Sequence, residues 1–136
     1  MTAAGALSSR ITASLPVAVG MATRYGLDAA KEISFEVGRP VMVIASRRQI
    51  EAEDLGGGYV GWDTRSWAST ARAGGSPLIL ARDHGGPYQH PADFGECVTE
   101  REAMARAVES FETDIRSGVE LLHIDTSLGS VRSAAR

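Results

Sequence analysis

An acidic residue and a histidine stand side by side at the end of an apolar segment. Residues 78–80 (Leu-Ile-Leu) form a short apolar run of the kind found in strands buried on both faces of a parallel sheet. Asp83 and His84 follow that run, and residues 85–87 (Gly-Gly-Pro) open a loop. Ionisable groups at the carboxyl end of a buried strand occupy the place where α/β barrels and open α/β sheets carry their chemistry. The alternative is that Asp83 caps the turn and His84 is an ordinary loop residue.

A second polar group ends the apolar segment at residues 120–127 (ELLHIDTS). Asp125 and Ser127 are two positions apart, so in a strand their side chains point to the same side. His123 shares that parity, and we expect it to be a hydrogen-bonded histidine of the core. Asp125 and Ser127 either belong to a site or satisfy the amides of a loop.

Glycines and arginines supply two further groups that can bind anions. Residues 56–58 are three glycines, whose backbone N–H groups can approach a phosphate, but neither a lysine nor a helix start follows them directly. Arg48 and Arg82 carry guanidinium forks that suit phosphate. We expect both arginines to be solvated loop charges instead.

Apolar runs and helical periods alternate along the chain and predict the elements that position these groups. We expect strands at residues 16–21, 40–46, 77–83 and 120–127, and helices at residues 28–37, 64–73 and 99–117. Asp28 would cap the first helix, and Asp63 or Thr64 would cap the second. This alternation predicts an α/β fold of about four βα units, with a parallel sheet and right-handed crossovers.

The third predicted helix has the clearest pattern. Thr99 and Glu102 form a capping box at its start. One helical face is apolar, and we expect that face to pack on the sheet. Its residues are Met104, Ala107, Val108, Phe111 and Ile115.

The composition indicates one globular domain. The 136 residues carry a net charge of −3 and are 43% hydrophobic, which argues against a membrane-spanning or nucleic-acid-binding protein. The single Cys97 fits a reducing compartment, and we expect the protein to be cytoplasmic. We expect residues 1–15 to be disordered, residues 16–129 to form the domain and residues 130–136 to be a tail.

Three blocks, in order, resemble the GatZ/KbaZ-like family, the second subunit of class II D-tagatose-1,6-bisphosphate aldolases. They are residues 45–62, with Gln49 and a G-G-Y-V-G stretch; residues 83–87, D-H-G-G-P; and residues 118–127, GVELLHIDTS. An E-A-M-A stretch at residues 102–105 also matches. The resemblance covers residues 16–129. It implies a (β/α)8 TIM barrel, of which this chain would supply the first four βα units.

The resemblance also implies roles for individual residues. Class II aldolases use a divalent metal, normally zinc, as a Lewis acid. By resemblance, His84 would bind the zinc and Asp83 would be the catalytic acid or base. The residues implied to bind a sugar-phosphate substrate are Gln49, Gly57, Gly58, Asp125 and Ser127. The remaining zinc ligands of such enzymes come from later strands, so this chain would hold an incomplete metal site.

The sequence leaves three functions open. Ile44, Arg48 and Arg82 depart from the family pattern, which has a glutamate, an asparagine and a glycine there. The chain is a component of a metal-dependent aldolase, a non-catalytic partner that stabilises a class II aldolase catalytic subunit, or a barrel fragment with no activity. Because four βα units leave two sheet edges and an apolar inner face, we expect a homo-oligomer or a complex with that subunit.

Overall fold

A computed structural model describes residues 3–14, 17–94 and 98–129. Strands alternate with helices in the order α1 (Ala3–Ala13), β1 (Ala18–Gly20), α2 (Arg24–Val37), β2 (Met42–Ser46), α3 (Thr64–Arg72), β3 (Ile79–Gly85), α4 (Glu100–Ser117) and β4 (Leu121–Ile124). Short 3-10 turns lie at Glu53–Leu55, Ala73–Gly75 and Pro91–Phe94. Cys97 and the predicted tail at residues 130–136 lie outside the described residues.

The four strands form one sheet in the order β1-β2-β3-β4, and every neighbouring pair is parallel. This arrangement confirms the predicted α/β fold with a parallel sheet, in which α2, α3 and α4 connect the four strands. The strands lie where the apolar runs predicted them, but β1, β2 and β4 are shorter than predicted and β3 continues to Gly85. Because β4 ends at Ile124, Asp125 and Ser127 follow the strand rather than lie in it.

Helix caps explain where the helices begin. Asp63 accepts hydrogen bonds from the amides of Arg65 and Ser66, and the predicted capping box of Thr99 and Glu102 is present. The prediction for α2 is wrong: the helix begins at Arg24, capped by Thr23 rather than by Asp28. Thr23 has the extended backbone of an N-cap, so its hydroxyl starts the helix one turn earlier than the acidic residue.

Helix α1 corrects the prediction that the N-terminal segment is disordered. Arg10 donates to the carbonyl oxygens of Pro77 and Leu78, at 3.2 and 2.9 Å, and pairs with Glu120. Arg39 donates to the carbonyl of Ala13 at 3.0 Å. These contacts join distant parts of the sequence, so local composition could not reveal them.

The core lies between the sheet and the helices. Its largest buried side chain is Trp67 of α3, and it includes residues of α2, α3, β2 and β3. Those residues are Leu27, Ala30, Val43, Ala45, Ala68, Ala71 and Leu80. Among the described residues, no helix is long and apolar enough to cross a bilayer.

Helix α4 packs on the sheet with a face that shares Ala107 with the predicted one but is otherwise different. Its buried positions include Ala103, Ala107 and Ser110, whereas Met104, Val108 and Ile115 are 47%, 51% and 62% exposed. Small side chains let the helix approach the sheet closely, so the larger apolar residues turn outward.

The open face and edges of the sheet are unevenly covered. Ile79 and Ala81 of β3 are fully buried, whereas Ile124 of β4 is 69% exposed. Among the described residues, nothing pairs with the outer edge of β1 or of β4. Exposed apolar side chains thus lie at the β4 edge and on α4, and also on α2, where Ile33, Phe35 and Val37 are exposed.

Candidate functional site

The structure brings Asp83, His84 and Asp125 together at the carboxyl ends of β3 and β4. His84 Nδ1 lies 2.8 Å from Asp125 Oδ2, and His84 Nε2 lies 3.5 Å from Asp83 Oδ2. His123 Nδ1 lies 3.2 Å from Asp83 Oδ1. We call these four residues the carboxylate–histidine cluster. It joins two groups that the sequence separates by about forty positions.

An irregularity in the pairing of β3 with β4 explains how the consecutive side chains of Asp83 and His84 both reach the cluster. Arg82 pairs with Leu122 and Gly85 with Ile124, so β3 uses three steps where β4 uses two. The extra residue breaks the strand alternation, and His84 adopts a positive φ of 43°. Bulges of this kind re-aim side chains and are common next to active sites. Here Asp83 and His84 can both belong to the cluster.

Two glycines allow β3 and β4 to approach closely at the cluster. A Cβ atom on Gly86 would lie 2.0 Å from the carbonyl oxygen of Asp125, and one on Gly85 would lie 2.7 Å from that of His123. Gly86 also has a φ of 149°, which L side chains rarely adopt. The glycines after the Asp-His pair therefore position the end of β4 rather than merely ending a strand.

Asp125 is buried, and both of its carboxylate oxygens have hydrogen-bond partners. Its Oδ2 accepts from Gln89 Nε2 at 2.8 Å as well as facing His84, and its Oδ1 accepts from the Ser127 amide at 2.8 Å. Hydrogen bonds from the Ser127 side chain and amide, and from His84, lower the pKa of Asp125 from 3.8 to about 2. Asp125 is therefore an ionised acceptor at neutral pH. Gln89 was missed because nothing in the sequence links it to residue 125.

His123 corrects a sequence prediction. It was expected to be a core histidine, but its side chain is exposed and contacts Asp83. The error concerned burial, since the sheet face at β4 is open.

Two arginines next to the site are buried rather than solvated. Arg82 forms a fork on Asp114, with Nε–Oδ2 at 2.8 Å and Nη2–Oδ1 at 2.6 Å. Arg47 pairs with Glu51 and Asp93 and donates to the carbonyl of Gly86 at 2.6 Å. The expectation that Arg82 is a loop charge is therefore wrong. Arg48 is exposed, as expected.

The other residues implied to bind substrate lie at the end of β2 and in the loop after it. Gln49 Oε1 accepts from the Ser46 amide at 2.7 Å, which closes the turn after β2. A Cβ atom on Gly58 would lie 2.1 Å from the Gln49 carbonyl oxygen, so this glycine is required for packing. Gly57 and Gly58 line an open cleft of about 310 Å³. The complete lining is Glu53, Gly56, Gly57, Gly58, Gly61, Trp62 and Asp63.

The glycine cleft and the carboxylate–histidine cluster are connected through one loop. Gln89 contacts Asp125, and the next residue, His90, has its Nε2 3.2 Å from the Gly57 carbonyl. No residue of the cluster lines the cleft. The structure thus places the predicted residues in two neighbouring groups rather than around one cavity.

The donor set does not fit a complete zinc site. A catalytic zinc needs three protein ligands. Within residues 3–14, 17–94 and 98–129, no group of three or more His, Cys, Asp or Glu side chains can hold a metal ion. The role of His84 as a zinc ligand stays a prediction from the resemblance.

Comparisons with known proteins bear on the fold. No family model matches the chain, and no curated protein matches it. The chain is similar to a crystal structure from Sinorhizobium meliloti 1021 described as a probable tagatose 6 phosphate kinase, with a TM-score of 0.68 and 24% sequence identity. The match covers 84% of this chain and 29% of that chain, so this chain spans less than a third of that protein's length. The likeness, together with the four parallel strands, shows an α/β fold that forms part of a βα barrel.

Proposed function

We propose that the chain is a component of a class II ketose-bisphosphate aldolase, in which Asp83 and His84 transfer protons on a sugar phosphate. One observation carries the proposal. His84 is held against Asp125 by a 2.8 Å contact while its other nitrogen faces Asp83 at an open end of the sheet. The family resemblance supplies the substrate class. The similar protein is described as a probable tagatose 6 phosphate kinase, which also names a sugar phosphate, although with a different reaction.

The chemistry requires two proton transfers. In aldol cleavage, a base takes the hydroxyl proton beside the carbon–carbon bond that breaks, and the bonding electrons form an enediolate on the ketose fragment. An acid then protonates the enediolate carbon. Asp83 and the exposed nitrogen of His84 lie close enough to share one substrate. The step that polarises the carbonyl needs groups beyond this pair.

The glycine cleft is a poor place for the substrate phosphate. The amides of Gly56 and Gly57 already donate to the carbonyl oxygens of Glu53 and Ala52, and the acidic residues Glu53 and Asp63 line the cleft. The role of Gly57 and Gly58 in substrate binding stays a prediction from the resemblance. The proposal assigns only the reacting carbons, and it assigns them to the cluster.

Cleavage of D-tagatose 1,6-bisphosphate tests this function. The chain would be assayed alone and with a class II catalytic subunit, with and without zinc. We expect Asp83→Asn and His84→Ala to lower the rate by at least about a hundredfold, the usual scale for a lost acid–base group. Glu112→Gln is the control because Glu112 forms an exposed pair with Arg116 on α4. Equal rates in the wild-type chain and in all three variants would contradict the proposal.

A non-catalytic role is the second candidate. It is favoured by the lack of a three-ligand metal group among the described residues. The chain would then stabilise a separate class II aldolase subunit. In that case, Asp83→Asn and His84→Ala would raise the melting temperature of the catalytic subunit as much as the wild-type chain does. Cleavage activity that is lost in Asp83→Asn and His84→Ala would favour the first function.

A further inference from the structure

The two oxygens of Asp125 have different partners. Oδ2 faces both His84 Nδ1 and Gln89 Nε2, each at 2.8 Å, and Oδ1 accepts from the Ser127 amide. An ionised carboxylate can only accept hydrogen bonds, and Gln89 presents its amide N–H₂. The short contact with His84 is therefore a hydrogen bond only if Nδ1 carries the proton.

We propose that Asp125, held in place by Gln89, is a positioning residue that fixes His84 as its Nδ1–H tautomer. The neutral ring then has its lone pair on Nε2, which lies 3.5 Å from Asp83 Oδ2. A neutral Nε2 accepts a proton from a substrate, whereas an N–H at that position would not.

The backbone supports this orientation independently. His84 has a φ of 43°, a region that residues other than glycine seldom occupy. Its amide donates to Asp83 Oδ1 at 2.9 Å. Strained residues persist where the surroundings determine them, and they cluster at functional sites. The ring is therefore aimed by the main chain as well as by Asp125.

Buried groups also fix the position of Asp125. Gly86 allows the Asp125 carbonyl to come close, and the Gly86 carbonyl is itself held by Arg47 at 2.6 Å. The Arg47 side chain is fully buried between two carboxylates, Glu51 and Asp93. A rigid network thus extends from the interior to the His84 ring.

The tautomer is measured directly by long-range proton–nitrogen NMR of ¹⁵N-labelled protein, at a pH where the imidazole rings are neutral. We expect His84 to be mainly Nδ1–H in the wild-type chain. In Asp125→Ala, we expect the ring to change to mainly Nε2–H, the form that free histidine favours in water. His123 is the internal control because its ring contacts Asp83 rather than Asp125. Its tautomer should not change.

Two results would overturn the proposal. One is a wild-type His84 that is mainly Nε2–H, which can be observed even where Asp125→Ala does not fold. The other is an unchanged tautomer in a folded Asp125→Ala variant. The use of Nε2 as a base rests on the proposed function, but the spectrum is recorded without substrate. Absence of aldol cleavage would therefore overturn the proposed function and leave the tautomer assignment standing.

Discussion

Arg82 and Asp83 are consecutive residues whose side chains lie in opposite environments, one in the interior and one at the open end of the sheet. Arg82 is buried and forms a two-bond fork on Asp114 of α4. Asp83 faces the open end of the sheet, where it meets His123 and His84. One strand thereby supplies a structural ion pair and a site carboxylate from adjacent positions.

Removing Arg82 should destabilise the fold severely. Burial raises the pKa of Asp114, and the hydrogen bonds from Arg82 oppose that effect. In Arg82→Met, the Asp114 carboxyl loses the guanidinium fork of Arg82 and is left buried. We expect the free energy of unfolding to fall by about 3–5 kcal/mol, measured by urea denaturation.

Two controls separate this ion pair from a general effect of losing an arginine. Arg116→Met removes an exposed partner of Glu112 and should cost less than about 1 kcal/mol. The double variant Arg82→Met/Asp114→Leu should recover much of the lost stability, because it leaves no unpaired buried charge from this ion pair. A double variant as unstable as Arg82→Met would contradict this explanation.

A methyl group at Gly86 should disrupt the junction of β3 and β4. The new Cβ atom of Gly86→Ala would lie 2.0 Å from the Asp125 carbonyl, at a φ that alanine rarely adopts. We expect a lower melting temperature and loss of the His84–Asp125 hydrogen bond. Gly20→Ala is the matched control, because nothing lies within 4 Å of its Cβ position. Equal melting temperatures for the two variants would show that the close approach is not required.

Acid should remove the contribution of Asp125. Its pKa is lowered to about 2, first by the Ser127 side chain and amide and then by His84. Because this folded-state pKa lies below the unfolded value, the ionised group stabilises the protein above about pH 4 and loses that effect as the pH falls towards 2. We expect Asp125→Asn to reduce the free energy of unfolding more at about pH 6 than at about pH 3. The same reduction at both pH values would contradict the assignment.

The outward face of α4 should make the isolated chain self-associate. Met104, Val108 and Ile115 are spaced for one helical face, and all are exposed. Large apolar patches are rare on soluble monomers. Sedimentation velocity should therefore show oligomers at micromolar concentration, weakened in Val108→Glu/Ile115→Glu. A compact wild-type monomer that melts cooperatively would show that this face of α4 needs no partner.

The sequence predicted those features that depend on local pattern. The apolar run at residues 78–80 predicted a buried strand, and the spacing of Thr99 and Glu102 predicted a capping box; the structure contains both. The strand ends also placed Asp83 and Asp125 at the same edge of the sheet, where the structure brings them together through His84.

Most of the errors involve partners that are distant in sequence, whereas the Thr23 cap that begins α2 is a local contact. Arg82 looks like a loop charge until Asp114, on the next helix, is known to face it. Helix α1 depends on contacts of Arg10 with Glu120. The outward turn of Val108 follows from the small residues that pack on the other side of α4. Hydrophobic periodicity identifies an apolar stripe but not the surface that covers it.

The order of the strands in the sheet is also their order in the chain. During synthesis on the ribosome, each new strand therefore meets a preceding neighbour that is already made. The sheet can grow by one βα unit at a time. Helix α1 is the exception, because its Arg10 completes an ion pair only when Glu120 has been added. Helix α1 is thus made before the other described helices, yet its ion pair is completed only after α4 has been made.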